Sequence, residues 1–462
     1  MDPRLKLVIP TLDAPFFQAG LAGYSDAAMR LVARRQGCPL CVTEALLDRM
    51  LLGGGHGFHK ADLGLQANRL LHGRRPISAP LSDDERLISD NLPTGGDDHP
   101  LIGQLIGSDP DEMAAAAVKM YEQGSRHSRA YREMAYAEGV QPPTADTRWH
   151  VTDAASGSST AAEGSCEDDC TPESLLVPEQ YDPAMVFATE SDDNAPEFWV
   201  QGQTERPASV TQSSFATIDV NLACPVKKVD RKSRGGHWLS QPEGALAILR
   251  AVREALPREV PCTVKLRRGY DDTPEMAKNL EVIFNGAYEL GYAFATVHAR
   301  TVEQKYLGPS RWTFLRDLAS RHKDKVIFGS GDIWQASDIF SMMAYTGVAG
   351  VSVARGCIGN PWIFRQARQM LAGAVVTSPT LGEQRAVLME HFTLSVRLNG
   401  EALAGRLMRK FGIKFAQHHP DPESVKRRMC AVASTKDWLA TLDELYPAAI
   451  AVAGSPTSHT SR

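Results

Sequence analysis

Eight apolar runs alternate with amphipathic stretches of helical period over the first 371 residues of this chain. The runs lie at the start of 15–23 and at about 40–44, 101–107, 216–222, 260–266, 292–298, 325–329 and 348–354. Each is short and rich in Val, Ile, Leu and Phe, which predicts strands. The intervening helices are expected at about 25–36, 109–124, 242–256, from Thr273 onward, 311–321, 334–345 and 361–371. Their ends are marked. Asp109 stands at an N-cap with Pro110 in the first turn and Gly124 as the stop, and Thr273 precedes Pro274 in the same way. In the 242–256 helix Leu246, Leu249, Val252 and Leu256 share one face.

Strand and helix in strict alternation predict a parallel α/β domain. Eight units favour a closed (β/α)8 TIM barrel over an open doubly wound sheet, with the barrel spanning residues 1–375. From Leu381 the pattern is helical only, so a separate all-helical domain is expected at 380–450, followed by a disordered tail at 455–462. Two segments break the rhythm. Residues 45–99 carry Gly53-Gly54-Gly55 and the basic cluster His72-Gly73-Arg74-Arg75, and 125–214 reads as a flexible insertion rich in Ser, Thr, Pro, Asp and Glu. Tyr181, Phe187, Phe198 and Trp199 could dock part of that insertion.

Three strands have an unusual polar face. Thr217, Asp219 and Asn221 alternate with Ile218, Val220 and Leu222; Thr263, Lys265 and Arg267 oppose Val264 and Leu266; Thr296, His298 and Arg300 oppose Val297 and Ala299. Carboxylate, amide and cations on one strand face are costly in an apolar core. Three such faces, each at a strand end, predict a charged cavity at the C-terminal mouth, where barrel enzymes keep their chemistry. The competing reading makes Lys265 and Arg267 structural ion-pair partners. The first of these strands ends at Cys224-Pro225, and the proline stops the ladder just beyond the thiol. A cysteine there is either a reactive group at the cavity mouth or a buried structural residue in a βα turn.

The last two units offer a phosphate site: Gly329-Ser330-Gly331-Asp332 after strand seven and Ala354-Arg355-Gly356-Cys357-Ile358-Gly359 after strand eight. Loops in those two places commonly bind phosphate through backbone N–H groups and a helix N-terminus. Glycine lets the oxygens come close. A cation, a phosphate clamp and a cysteine across one cavity suit a flavin, with Lys265 stabilising the negative charge of reduced FMN and Cys224 donating a proton. No His, Asp and Glu set has metal-ligand spacing, so no metal is expected.

Bulk properties narrow the class. The chain has 462 residues, 43% of them hydrophobic, and no long apolar run, which predicts a soluble protein outside the membrane. The first residues, Met1-Asp2-Pro3-Arg4-Leu5-Lys6, lack a secretory core, and eight scattered cysteines suit a reducing compartment, so a cytoplasmic location is expected. Cys38-Pro39-Leu40-Cys41 has zinc or redox spacing but no second pair completes it, and Cys166 with Cys170 fares no better. The net charge of −5 argues against a nucleic-acid partner until it is apportioned. Residues 151–205 hold thirteen Asp and Glu and no Lys or Arg, and without them the remainder carries +8. A polyanionic partner therefore stays open.

The motifs together resemble the tRNA-dihydrouridine synthases, FMN-dependent barrel enzymes. The resemblance runs through Ala22-Gly23-Tyr24-Ser25-Asp26, Gln104-Leu105-Ile106-Gly107-Ser108-Asp109-Pro110, Asp219 to Val229 with its Asn-x-x-Cys-Pro-x-x-Lys-Val element, Val264-Lys265-Leu266-Arg267, His298-Ala299-Arg300-Thr301, Gly331-Asp332-Ile333 and Gly359-Asn360-Pro361-Trp362-Ile363-Phe364. It implies that NADPH reduces FMN, that hydride passes to C6 of a uracil in tRNA, and that Cys224 protonates C5. It also implies that FMN is bound by Gly20, Leu21 and Ala22, by Gln104, Lys265 and His298, by Ser330, Gly331 and Asp332, and by Ala354 and Arg355. Asn221, Arg267 and Arg300 would line the substrate side. The target uridine must leave its stack, which limits the enzyme to looped or flexible RNA.

This chain departs from the family pattern in three places. The usual Ala-Pro-Met-Ala-Gly is Ala19-Gly20-Leu21-Ala22-Gly23, Asn-Gly-Asp is Ser330-Gly331-Asp332, and Gly-Arg is Ala354-Arg355. The C-terminal helices carry Arg406, Arg409, Lys410, Lys414, Lys426, Arg427 and Arg428 against Asp421 and Glu423. A charge run of this kind can be a solvated face; the resemblance makes Arg409, Lys410, Arg427 and Arg428 candidate RNA contacts. The chain is expected to act as a monomer. Two rivals remain at this point: an FMN barrel reductase of a small molecule, similar to dihydroorotate dehydrogenases, and a silent RNA-binding protein.

Topology places the two irregular segments. The 45–99 excursion follows strand two and emerges on the catalytic face; the acidic insertion sits between a helix and strand four, at the opposite end. Deleting 125–214 is therefore expected to leave activity intact, and an inactive but folded deletion would count against that placement.

Overall fold

The computed structural model describes residues 1–53, 98–124, 215–225 and 235–447. The acidic insertion, the 72–75 cluster, Cys166 and Cys170, Lys227 and Lys228, and the 455–462 tail lie outside the described residues. Eight strands close into a parallel barrel in chain order: β1 Phe16–Gln18, β2 Cys41–Leu47, β3 Leu101–Ile106, β4 Thr217–Leu222, β5 Cys262–Arg267, β6 Phe294–His298, β7 Ile327–Ser330 and β8 Gly350–Val353. The eight-unit reading holds.

The barrel helices are α1 Pro3–Val8, α2 Ala27–Arg35, α3 Asp48–Leu52, α4 Pro110–Gly124, α5 Pro242–Ala255, α6 Pro274–Glu289, α7 Trp312–Arg321, α8 Ala336–Thr346 and α9 Trp362–Leu371. Their starts follow local chemistry. Asp109 accepts from the N–H groups of Asp111 and Glu112 at 3.0 Å, and Thr273 caps α6 with Pro274 at its first position. On α5 the buried stripe is Ala245, Ile248, Leu249 and Val252, with Leu246 half-buried.

Three features were not legible. Helix α1, capped by Asp2, brings Leu5, Ile9 and Leu12 against Phe17, Val42, Ile102, Phe294 and Phe328, so an apolar plug closes the barrel where the strands begin. Strand β2 does not stop at Glu44: its register shifts between Val42 and Ala45 and it runs on to Leu47. The Thr43 hydroxyl accepts from the Gln104 N–H at 3.0 Å at that irregularity. Helix α3 interrupts the 45–99 excursion, with buried Asp48 accepting from the N–H groups of Arg49 and Ser108.

Four further helices, α10 Leu381–Asn399, α11 Glu401–Phe415, α12 Pro422–Ala431 and α13 Thr435–Leu445, follow the barrel. Capping boxes start α10 at Thr380/Glu383 and α13 at Ser434/Asp437. Their core, with Phe392 stacked on Trp438 at 5.0 Å, is continuous with that of the barrel helices. Arg35 pairs with Glu390, Arg365 with Glu383, and Trp362 meets Phe415 edge-on at 5.4 Å. The joint is close. A Cβ on Gly359, whose φ is +68°, would stand 2.5 Å from the Lys414 backbone.

Gly359→Ala should therefore cost more than about 1 kcal/mol, because alanine is strained at that φ and meets helix backbone. Gly382→Ala, inside α10 with open space around it, should gain up to about 1 kcal/mol from helix propensity. Urea unfolding of both variants checks the contrast.

Candidate active site

Register decides which polar residues meet. Gln104 pairs with Asp219 and Asp219 with Thr263; Asn221 pairs with Lys265 and Lys265 with Thr296; Arg267 pairs with His298 and His298 with Ser330. The polar faces of β4, β5 and β6 thus form successive tiers above the apolar plug. In the first tier the Asp219 carboxylate accepts from Gln104 Nε2 at 2.9 Å and Thr263 Oγ1 at 2.7 Å. Gln104 Oε1 accepts from Asn221 Nδ2 at 2.9 Å, and Asn221 Oδ1 accepts from the Ala223 N–H at 2.9 Å. Packing leaves a void of about 10 Å³ among Gly20, Gln104, Asp219, Lys265, Thr296 and Ser352. That is room for a single water.

The thiol lies at the C-terminal mouth. Cys224 is half-buried, two residues past the end of β4. Backbone contacts pin it on both sides: Arg267 Nε donates to the Ala223 carbonyl at 2.9 Å, and the Gly236 N–H donates to the Cys224 carbonyl at 3.1 Å. A Cβ on Gly235, at φ +56°, would come within 2.9 Å of the Cys224 Cβ. Cys224 also lies within electrostatic reach of Lys265, Arg267 and Tyr306. Gly235, Gly236 and Tyr306 escaped the sequence reading, since their role comes from chain return rather than from any local pattern.

Cations crowd this end. Burial pulls the Lys265 ammonium down to about 8, Arg267 adding to the effect. Its Nζ makes no hydrogen bond or ion pair among the described residues. Burial lowers Arg267 to about 10, and burial with four neighbouring cations holds His298 well below its ordinary value, so its imidazole is neutral. Arg267 Nη1 is tied to the carbonyls of Thr301 and Lys305. Arg300 Nη2 binds both Asp332 oxygens at 2.6 and 2.8 Å, and its Nη1 is 3.4 Å from His298 Nε2. Among the described residues neither Lys265 nor Arg267 forms a close ion pair with a carboxylate, Asp219 reaching Lys265 only at electrostatic range, so the ion-pair alternative for these two is set aside.

The loops after β7 and β8 interlock. Asp332, at φ +56°, also accepts from the Ser310 N–H at 2.7 Å, and Trp312 Nε1 donates to the Gly331 carbonyl at 2.9 Å. A Cβ on Gly331 would fall on the Ser310 hydroxyl, and one on Gly356 would fall on the Ile333 carbonyl. These glycines are thus required by neighbouring protein, a different reason from the approach of phosphate oxygens. The N–H groups of Gly331, Asp332 and Ala354 nonetheless donate to no acceptor among the described residues, and Ser310 Oγ is buried without a partner. Open donors of this kind fit a phosphate. In the β1 loop, a Cβ at Gly20 would strike the Thr43 carbonyl, which is why a proline there would not fit. The Leu21 N–H is taken by Ser25 Oγ at 2.8 Å, while Ala22 is exposed.

The C-terminal cations divide. Lys410 reaches the Gly23 carbonyl and lies 4.5 Å from the Tyr24 ring centroid, so it belongs to the barrel joint. Arg409 donates to the Val432 carbonyl, and Arg428 pairs with Glu444 at 2.5 Å. Arg427 is exposed and donates to Ser424 of its own helix, with Asp421 at electrostatic range. Cys38 and Cys41 are buried with sulfurs 3.8 Å apart, and no group of three metal-ligating residues occurs among the described residues.

The molecule is thus a closed (β/α)8 barrel with a cationic, thiol-bearing mouth. A family model for dihydrouridine synthase matches residues 201–451, and the chain belongs to that family. It is 33% identical over 231 residues to a probable tRNA-dihydrouridine synthase of Mycobacterium tuberculosis (strain CDC 1551 / Oshkosh), covering 49% of this chain and 58% of that protein. It is 30% identical over 236 residues to tRNA-dihydrouridine synthase B of Klebsiella pneumoniae, and 29% identical to that of Escherichia coli (strain K12), covering 51% of this chain and 72% of each relative. No described helix is long and apolar enough to cross a membrane.

Burial holds the Asp219 carboxyl up at about 6. Its folded value exceeds the unfolded one, so its contribution to stability is full below about pH 4 and is lost as pH rises through 6. Relative to wild type, Asp219→Asn should therefore gain stability between pH 4 and 6 and hold that gain at higher pH. Urea unfolding at pH 4.5 and 7.5 reads the difference.

Proposed function

We propose that this chain is an FMN-dependent tRNA-dihydrouridine synthase that uses NADPH and saturates the C5–C6 bond of a uracil in tRNA. The observation carrying this reading is Lys265: a desolvated ammonium that makes no hydrogen bond or close ion pair among the described residues, with Asp219 acting on it only at electrostatic range, at the same end as Cys224 and the open N–H groups after β7 and β8. A charge held there at a desolvation cost is recovered when an anionic group binds. The residues that would hold FMN are the Gly20–Ala22 turn, Gln104, Lys265, His298, Ser330 to Asp332, and Ala354 with Arg355. Bound there and reduced by NADPH, FMN would supply the hydride that adds at C6.

The chain's own residues do the rest. The Cys224 S–H bond breaks as a C–H bond forms at C5, and the resulting thiolate is stabilised by the charges of Lys265 and Arg267 before water returns the proton. Arg267 also positions the thiol through the Ala223 carbonyl. Asn221, oriented by Gln104, and Arg300, oriented by Asp332, face the base from rigid settings. The excess of cations over carboxylates at the mouth suits a polyanionic substrate, and the uridine enters unstacked.

Purified protein should be yellow, and with NADPH it should form dihydrouridine in unmodified tRNA. Cys224→Ala should keep FMN and lose dihydrouridine formation by roughly 100-fold or more. Lys265→Ala should lose FMN absorbance itself. A wild-type protein that stays colourless after incubation with FMN would overturn the reading.

A further inference from the structure

The loops after β6, β7 and β8 carry an exposed stack that the reduction itself does not use. The Arg355 guanidinium lies 4.7 Å from the Tyr306 ring centroid and 4.8 Å from the Trp334 ring. Arg267, which pins the Cys224 turn, lies 5.6 Å from the same Tyr306 ring. The stack therefore connects the inner site to the rim. Trp334 is 51% exposed and Tyr306 38%.

An exposed tryptophan in a mobile loop would mean little, but this one is presented rigidly. Its backbone N–H donates to Asp338 at 2.8 Å, one residue before the Gln335/Asp338 capping box of α8. Gly356 packs so closely that a Cβ there would stand 3.0 Å from the Trp334 Cα. Beside the stack, Lys414 of α11 is within electrostatic reach of Arg355 and Lys426 and has no ion-pair partner among the described residues. An open aromatic face on a fixed backbone, next to an uncompensated cation, has the two components that unstacked nucleotides require: a stacking surface and a phosphate contact.

We propose that the Tyr306–Arg355–Trp334 stack is a nucleobase platform, taking an RNA base adjacent to the target uridine on Trp334 with its phosphate against Lys414. This rests on the reading that the chain acts on RNA. It divides Arg355 between two tasks: its backbone belongs to the cofactor loop, and its guanidinium orders the rings on the substrate side. The role is positioning, by holding the strand so that the uridine reaches the cavity.

Binding of unmodified tRNA by the FMN-loaded protein, measured across a salt series, tests it. Trp334→Ala should weaken binding by about 5- to 100-fold, the range for loss of one stacked base, with FMN content and the salt slope unchanged. Trp334→Phe should restore most of the affinity. Lys414→Gln should instead flatten the slope by about one. Arg355→Lys, which keeps charge but loses the planar stack, should weaken tRNA binding in the same range once the protein is loaded with FMN. If wild type binds tRNA and Trp334→Ala binds equally well, the platform is overturned while the enzyme reading stands. If wild type carries FMN yet neither binds nor modifies tRNA, both fall.

Discussion

The structure depends on one constraint: the upper half of the barrel interior is polar, and its buried carboxylate must be met by partners from neighbouring strands. Asp219 cannot be buried alone, and it is met by Thr263 from β5 and Gln104 from β3. Gln104 uses both ends of its amide, and Asn221 passes the chain of hydrogen bonds to the Ala223 N–H. Three strands are thus locked in register by side chains as well as by their ladders. The last link is the residue before Cys224, so the network that satisfies the interior also aims the thiol.

Beneath this network the interior is apolar and sealed by α1. The contrast gives the barrel a direction: water and charge are admitted only at the C-terminal mouth. There the protein accumulates Lys265, Arg267, Arg300 and Arg355 while leaving only Arg300 fully matched by a carboxylate. Desolvation, with repulsion between neighbouring cations added, depresses Lys265, Arg267, Arg355 and His298 alike. An arrangement that opposes its own charges favours an anion at the mouth.

The helical tail shows how composition misleads about surface. Its basic residues look like one continuous charge run, yet Lys410 and Arg409 are taken up by backbone carbonyls, and Lys426 and Arg428 face acidic neighbours. Among the described residues, those of the run left without a carbonyl or carboxylate pair are Lys414, nearer the barrel mouth, exposed Arg406 on α11, and Arg427 on α12. The same joint explains Gly359, where helix backbone comes too close for any side chain.

Much was legible from residues alone. Eight apolar runs with caps between them define the barrel, because strand and helix periodicities are local properties. The polar alternation in β4, β5 and β6 marked the cavity for the same reason: period two puts Asp219, Lys265 and His298 on one face whatever surrounds them. Sequence could not decide how far each strand slides past the next, and therefore could not pair Gln104 with Asp219 or Arg300 with Asp332. It could not show that Gly331 and Gly356 answer to neighbouring loops, that α1 plugs the barrel, or that Tyr306, Arg355 and Trp334 meet. Those facts depend on barrel closure, which brings together residues distant in the chain through a shear that no local pattern encodes.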